Sequence, residues 1–116
     1  AITVAEVNAC EYCLSAHTYI GAHVAHVDSD ELDAARSGDS RDPHTAAILE
    51  LAAVAVRGRG EVSDAQLAGF RAAGVTDEEV AETMGHVALN VLTNLFNKVT
   101  GVDNDWPVVT PHQRAA

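Results

Sequence analysis

The residues able to do chemistry lie together at positions 10–17. Both cysteines of the chain, Cys10 and Cys13, are separated there by two residues, and His17 follows four positions after the second. If this segment is helical, a rotation of about 100° per residue places all three side chains on one face. Two thiols at this spacing can form and break a disulfide, and a histidine one turn away can carry a proton. The segment therefore predicts a redox-active dithiol.

The expected reaction follows from the properties of a thiol. Only the thiolate is nucleophilic, and a free cysteine with a pKa of about 8.5 is mostly protonated near neutral pH. The first turn of a helix, a nearby protonated histidine or the second sulfur can each lower that pKa. Attack on a hydroperoxide would give a sulfenic acid, which the neighbouring cysteine converts into a disulfide. Because a disulfide across so short a loop adds little stability, we expect it to serve chemistry rather than folding.

Three further residues are candidates for a proton relay. Glu6 precedes Cys10 by four positions, Tyr12 lies between the cysteines, and His86 is in a helical segment that could face the dithiol. For Glu6 the simplest interpretation is an exposed glutamate on a helix, because carboxylates are seldom buried. His23, His26 and His112 have no evident partners in the sequence.

Two alternatives to a redox site remain open. Cys10, Cys13 and His17 could bind zinc with His44 or His86 as a fourth ligand, although the second ligand pair of a structural zinc site is missing. The cysteines could also be ordinary small side chains of a core. The chain would then be a catalytically silent, oligomeric binding or scaffold protein.

The composition and charge of the chain disfavour several classes of partner. The chain has 116 residues, 47% of them hydrophobic and 4% aromatic, and a net charge of −10 with seven Lys and Arg in all. Nucleic acids and anionic membranes are poor partners for so acidic a protein. The sequence shows neither a membrane span nor a signal peptide, so we expect a cytoplasmic protein. We expect a single domain over 1–116 that lacks an N-terminal portion, because the sequence opens without Met in the middle of a helical pattern.

Signals for helix starts and ends occur along the whole chain, and no segment alternates like a strand. A short helix near positions 2–7 precedes the dithiol, which begins a helix predicted over 11–27. A capping pair at Asp28 and Glu31 opens a short helix that ends at Gly38. The three remaining helices are bounded by Asp42-Pro43 and Gly58, by Ser63 with Gln66 and Gly74, and by Thr76 with Glu79 and Gly101. The prediction is an all-α helical bundle with the Cys-x-x-Cys motif at the start of a helix.

The last of these helices is apolar on more than one side. One row, at spacings of three and four, predicts contact with the core or with another subunit. Its members are Val80, Met84, Val87, Val91, Leu95 and Val99. A second row consists of Leu89, Leu92 and Phe96. We therefore expect a homo-oligomer.

Residues 8–18, from Asn8 through both cysteines to Thr18, resemble the signature of the AhpD-like alkylhydroperoxidase branch of the carboxymuconolactone decarboxylase superfamily. The order of helices, the long helix with Asn90 and Asn94, and the segment 104–108 are also similar to its peroxidase-related members. The resemblance implies an AhpD-like all-α fold and a thiol peroxidase without metal or cofactor. It further implies an external dithiol or protein reductant and assembly into trimers or hexamers.

Carried over by position, Cys13 resembles the peroxidatic cysteine, Cys10 the resolving cysteine and His17 a member of the proton relay. The glutamate of that relay would fall just before Ala1 and is absent from this sequence. Glu11 and Tyr12 stand where the best-known branch has a histidine beside the second cysteine, a departure that bears on pKa tuning and on the choice of reductant. Decarboxylase members of the superfamily generally lack the cysteine pair, so decarboxylation is not implied.

Overall fold

Six helices follow one another along residues 1–112, the part of the chain that this computed structural model describes, and no strand occurs among these residues. The helices are α1 Ile2–Val7, α2 Glu11–His23, α3 Ser29–Arg36, α4 Pro43–Arg57, α5 Asp64–Ala72 and α6 Asp77–Thr100. The all-α prediction is confirmed. None of the six combines the length and the hydropathy that crossing a bilayer requires.

The predicted capping residues bound most of the helices. Ser63 and Thr76 each accept a hydrogen bond from a backbone N–H of the first turn, and the capping box is complete at both. Asp42 accepts from the N–H of Thr45, with Pro43 at the first helical position. Gly101 ends α6 in the left-handed region at φ 60°, where glycine is favoured.

One predicted helix boundary is wrong, and one predicted capping bond does not form. Helix α2 ends at His23 rather than near residue 27, because the N–H of Val27 turns back to the carbonyl of Gly21. A Cβ at Gly21 would lie 2.6 Å from a methyl carbon of Leu32, so glycine allows α3 to approach closely here. Asp28 lies at the N-cap of α3 but makes no side-chain cap bond. Its predicted capping partner, Glu31, instead accepts hydrogen bonds from the hydroxyl of Ser40 and from the backbone N–H of Arg41.

The short helix α1 lies at the centre of the packing and contacts α2, α3, α4 and α6. Its Val4 and Ala5 are buried, and Thr3 donates through Oγ1 to the carbonyl of Ala35 in α3 at 2.7 Å. Helix α1 therefore sets how the dithiol, which begins two residues after its C-cap, lies against the rest of the fold. Away from α1, an apolar cluster joins α4 to α5 and to the start of α6. Its buried members are Ala47, Leu51, Phe70 and Val75.

The long helix α6 differs from its sequence pattern. Its most buried residues are polar: Thr83, Asn90 and Asn94. The aliphatic row is half-buried from Val80 to Val91, but Leu95 and Val99 are exposed. Leu89, Leu92 and Phe96 are exposed as well. Helix α6 thus packs on its own chain through Val80, Met84 and a buried polar row, and it leaves an apolar surface uncovered.

Candidate functional site

The dithiol begins α2, as predicted, with Cys10 as the N-cap residue. The turn before it passes through Asn8, which caps α1, and Ala9, whose φ of 50° is in the left-handed region. Cys10 and Cys13 form a disulfide, with Cα atoms 5.3 Å apart. The backbone N–H of Cys13 points at Cys10 Sγ at 3.3 Å. Cys10 therefore sits where the helix N-terminus favours negative charge on a sulfur.

Both sulfurs are withdrawn from solvent. Cys10 is 1% exposed and Cys13 is 3% exposed, in a cluster with Ala5 and Leu14. The side chains packed around this cluster are Ile2, Tyr12 and Val109. Tyr12, a predicted relay candidate, thus contacts the cluster that contains the dithiol. Direct attack by a bulky reagent would require some of this covering to move.

His17 lies one turn beyond Cys13, on the same helix, and is half-buried. Burial lowers its pKa below the ordinary value of 6.5, so the imidazole is neutral near neutral pH. The ring lines a cavity of about 410 Å³ together with mostly apolar residues. These include Ile2, Ile20, Val27, Leu32, Ala35 and Leu49. Ile2 also packs on the disulfide cluster, so the cavity and the dithiol share a wall.

Helix α6 brings asparagines to the site, and sequence reasoning did not assign them a role there. Asn97 Nδ2 lies 3.5 Å from Cys13 Sγ. Asn94 is fully buried, and its Oδ1 accepts from Asn8 Nδ2 at 2.9 Å, next to the turn that leads into the dithiol. Lys98 Nζ donates to the carbonyl of Asn8 at 2.7 Å. The signal in the sequence is a set of asparagines spaced by three and four residues inside an otherwise apolar helix.

Glu6 is buried, so the prediction of an exposed glutamate is wrong. Its carboxylate accepts from Arg36 Nε in α3 at 2.8 Å and from the backbone N–H of His112 at 2.5 Å. An arginine thirty residues away compensates a charge that would otherwise be costly to bury. His112, without a partner in the sequence prediction, also brings its Nδ1 to 3.8 Å from Glu6. Glu6 thus serves a structural ion pair beside the site.

The segment after α6, residues 103–112, returns across the start of α2. Its anchor is the buried hydroxyl of Ser15, whose Oγ accepts from Asn104 Nδ2 at 3.2 Å and from Val109 N at 2.9 Å. Thr110 donates to Glu11 through Oγ1, and the Trp106 ring lies 5.3 Å from that of Tyr19. We call residues 103–112 the covering segment, because its Val109 packs on the disulfide cluster.

The remaining histidines lie away from these contacts. His44 Nε2 pairs with Glu79 at 2.9 Å, a contact that raises the pKa of the imidazole. His86 is exposed, 3.8 Å from Glu82, and lines a surface hollow beside Ile48. No group of three or more His, Cys, Asp and Glu residues suited to a metal occurs in residues 1–112, so the zinc alternative has no ligand set there. The His23 ring lies 4.3 Å from that of Tyr19 with the two planes tilted by 40°, and His26 adopts a φ of 55° in the turn after α2.

The model of the carboxymuconolactone decarboxylase family matches residues 34–104, well over half of the chain. The match runs from the end of α3 through α6 and the first residues of the covering segment. It thus contains Asn94 and Asn97, whereas the dithiol and His17 precede it. No curated protein and no solved structure matches the chain.

Proposed function

The chain belongs to the carboxymuconolactone decarboxylase family, and we propose that it acts as a thiol peroxidase that reduces organic hydroperoxides through Cys10 and Cys13. The observation that best supports this function is the disulfide between the two cysteines at the start of α2. The helix begins normally with the disulfide closed, and Cys-x-x-Cys pairs at helix starts suit repeated thiol–disulfide exchange. The family also has members that are not peroxidases, so the dithiol rather than membership supports the proposal.

The proposed cycle passes through a sulfenic acid and a disulfide. The Cys13 thiolate attacks one oxygen of the hydroperoxide, the O–O bond breaks, and an alcohol leaves once its oxygen has taken up a proton. Cys13 is then a sulfenic acid. The Cys10 thiol displaces its hydroxyl as water, which forms the disulfide. An external dithiol or protein reductant returns both thiols by exchange. No metal or organic cofactor takes part in this cycle.

His17 is the proposed proton carrier. Its neutral imidazole can take the proton of the Cys13 thiol and return it to the leaving oxygen. Proximity along one helix supports this role, since residues four apart are neighbours on a helix surface. The apolar cavity beside His17 supports an organic rather than a strongly polar hydroperoxide.

Assembly into trimers or hexamers is part of the proposal. Its support is the apolar surface of α6, where Leu92 is 66% and Phe96 is 64% exposed. Monomeric proteins rarely expose contiguous apolar patches of large side chains. The burial of both sulfurs favours the alternative of a catalytically silent, oligomeric binding or scaffold protein. Activity measurements separate the two.

The test is consumption of an organic hydroperoxide by the protein with a dithiol reductant. We expect turnover by the unaltered chain and none by Cys13→Ser. In Cys10→Ser, one equivalent of peroxide should leave a sulfenic acid at Cys13 that dimedone labels. Label at Cys10 in Cys13→Ser, with none in the reverse variant, would exchange the roles of the two sulfurs. A reduced wild-type protein that leaves peroxide intact would favour the silent alternative.

A further inference from the structure

The two sulfurs of the dithiol meet different hydrogen-bond donors. Cys10 Sγ faces the backbone N–H of Cys13 at 3.3 Å, a donor that any Cys-x-x-Cys motif at a helix start supplies. Cys13 Sγ faces the side-chain amide of Asn97 at 3.5 Å, which comes from another helix. When the disulfide is reduced, these donors compete for the negative charge of a single thiolate. The backbone donor and the helix N-terminus favour Cys10, and the amide of Asn97 favours Cys13.

Asn97 is held in position from both sides. Asn94, one turn earlier on α6, is fully buried and bonds Asn8 through its amide oxygen. Lys98, the next residue, donates to the carbonyl of Asn8. These two bonds fix this part of α6 against the turn that leads into the dithiol. An aliphatic side chain at position 97 would be enough to pack α6 against α2. An amide held in this place beside a sulfur therefore requires an explanation.

We propose that Asn97 directs the negative charge of the reduced dithiol to Cys13 and thereby makes Cys13 the attacking sulfur. The second part of this inference, that Cys13 attacks the peroxide, rests on the proposed peroxidase function. The preference of the charge for one sulfur is a property of the reduced protein and needs no peroxide. Other ionisable groups on the elements around the pair are Glu6 on α1, Glu11, Tyr12 and His17 on α2, Arg36 on α3, Lys98 on α6 and His112 in the covering segment. They stay unchanged in the variants that test the inference.

The experiment measures alkylation of the reduced protein by substoichiometric iodoacetamide between pH 5 and pH 10, with each cysteine quantified by peptide mass spectrometry. In the unaltered chain we expect Cys13 to react first at low pH. Asn97→Leu removes the donor, and Asn97→Asp replaces it with a carboxylate of the same shape. Both should raise the pKa of Cys13 by about one unit, slow its alkylation roughly tenfold below that pKa, and move the label towards Cys10.

Thr93→Val is the matched control, because it removes a side-chain donor of α6 that bonds the carbonyl of Asn90 and does not contact either sulfur. It should leave the labelling order unchanged. Preferential labelling of Cys10 in the unaltered chain, or identical Cys13 titrations in the chain and both Asn97 variants, would overturn the inference. Asn97-dependent labelling in a protein that does not consume peroxide would refute the peroxidase and leave the role of Asn97 intact.

Discussion

The carboxylate of Glu6 and the guanidinium of Arg36 form an ion pair 2.8 Å apart, with side-chain exposures of only 6% and 12%. The pair joins α1 to α3, and both residues also bond the covering segment: Arg36 through the carbonyl of Thr110, Glu6 through the N–H of His112. Helix α1, helix α3 and the covering segment therefore meet at one buried pair of charges.

Removing the cation of this pair should be strongly destabilising. Arg36→Met leaves the Glu6 carboxylate buried without its partner, at a cost of about 3–5 kcal/mol in the free energy of unfolding. Arg71→Met is the control, since Arg71 pairs with the exposed Asp77 and should cost less than about 1 kcal/mol. Denaturant titration measures both changes. Equal decreases in the free energy of unfolding of the two variants would show that the buried pair stabilises the fold no more than the exposed pair does.

Loss of the proposed proton carrier should slow the first chemical step. Without His17, formation of sulfenic acid near neutral pH should fall by roughly 10²–10⁴-fold. Because burial lowers the pKa of His17, the wild-type rate should decline only below pH 6.5, and His17→Ala should lack that acidic limb. Stopped-flow peroxide reduction across pH measures both effects. His23→Ala, on an exposed position of the same helix, is the control, and matching profiles for the two variants would make His17 a bystander.

The lowered pKa of His17 should also make the free energy of unfolding decrease as the pH falls. The folded protein resists protonation of His17 more than the unfolded chain does, so this residue reduces stability as the pH falls below about 6.5. His17→Ala should therefore retain more of its stability at pH 5 than the unaltered chain, each relative to its own value at pH 7.5. Thermal melts at the two pH values measure the difference.

Release of the covering segment should expose the dithiol. Ser15→Ala removes the acceptor of two hydrogen bonds to residues 104 and 109 at a cost of about 1–3 kcal/mol. Local opening should become more frequent, and reduction of the disulfide by a small phosphine should accelerate about tenfold. Thr100→Ala, which removes a hydroxyl bond within α6, is the control. An unchanged reduction rate in Ser15→Ala would mean that the covering segment does not limit access.

The apolar surface of α6 should hold subunits together. Light scattering at micromolar concentration should give a mass above that of the monomer. A double change, Leu92→Gln with Phe96→Ser, should shift it to the monomer mass because both side chains lie on this surface. Val24→Gln alters an equally exposed aliphatic residue away from α6 and should leave the mass unchanged. A monomer mass for the unaltered chain contradicts the predicted assembly.

Local signals explain why much of the fold was predictable from the sequence. The capping boxes at Ser63 and Thr76 and the left-handed Gly101 act within a few residues of their own positions. The early end of α2 was not predictable, because it depends on the bond from the Val27 N–H back to the Gly21 carbonyl, for which the sequence has no local signal. Sequence periodicity also gave no indication that the buried row of α6 would be polar.

In the candidate site, too, the residues close in sequence were predictable and the distant partners were not. Cys10, Cys13 and His17 are close in sequence, so helical spacing alone was enough to group them. Asn97 reaches Cys13 across 84 positions, and Arg36 reaches Glu6 across 30. Such partners are visible only once the helices are packed, since nothing in the pattern near either residue encodes the other.

The bond between His112 and Glu6 has a consequence for the order of folding. It joins residues 106 positions apart, so closing it costs more chain entropy than any contact within α1 and α2. Contacts of this span form after local helices, and the covering segment should dock late. The cysteines are only three positions apart and meet as soon as α2 begins. During refolding we therefore expect a stage in which α2 has formed and the covering segment has not yet docked, and in that stage oxidants and thiols should reach both sulfurs.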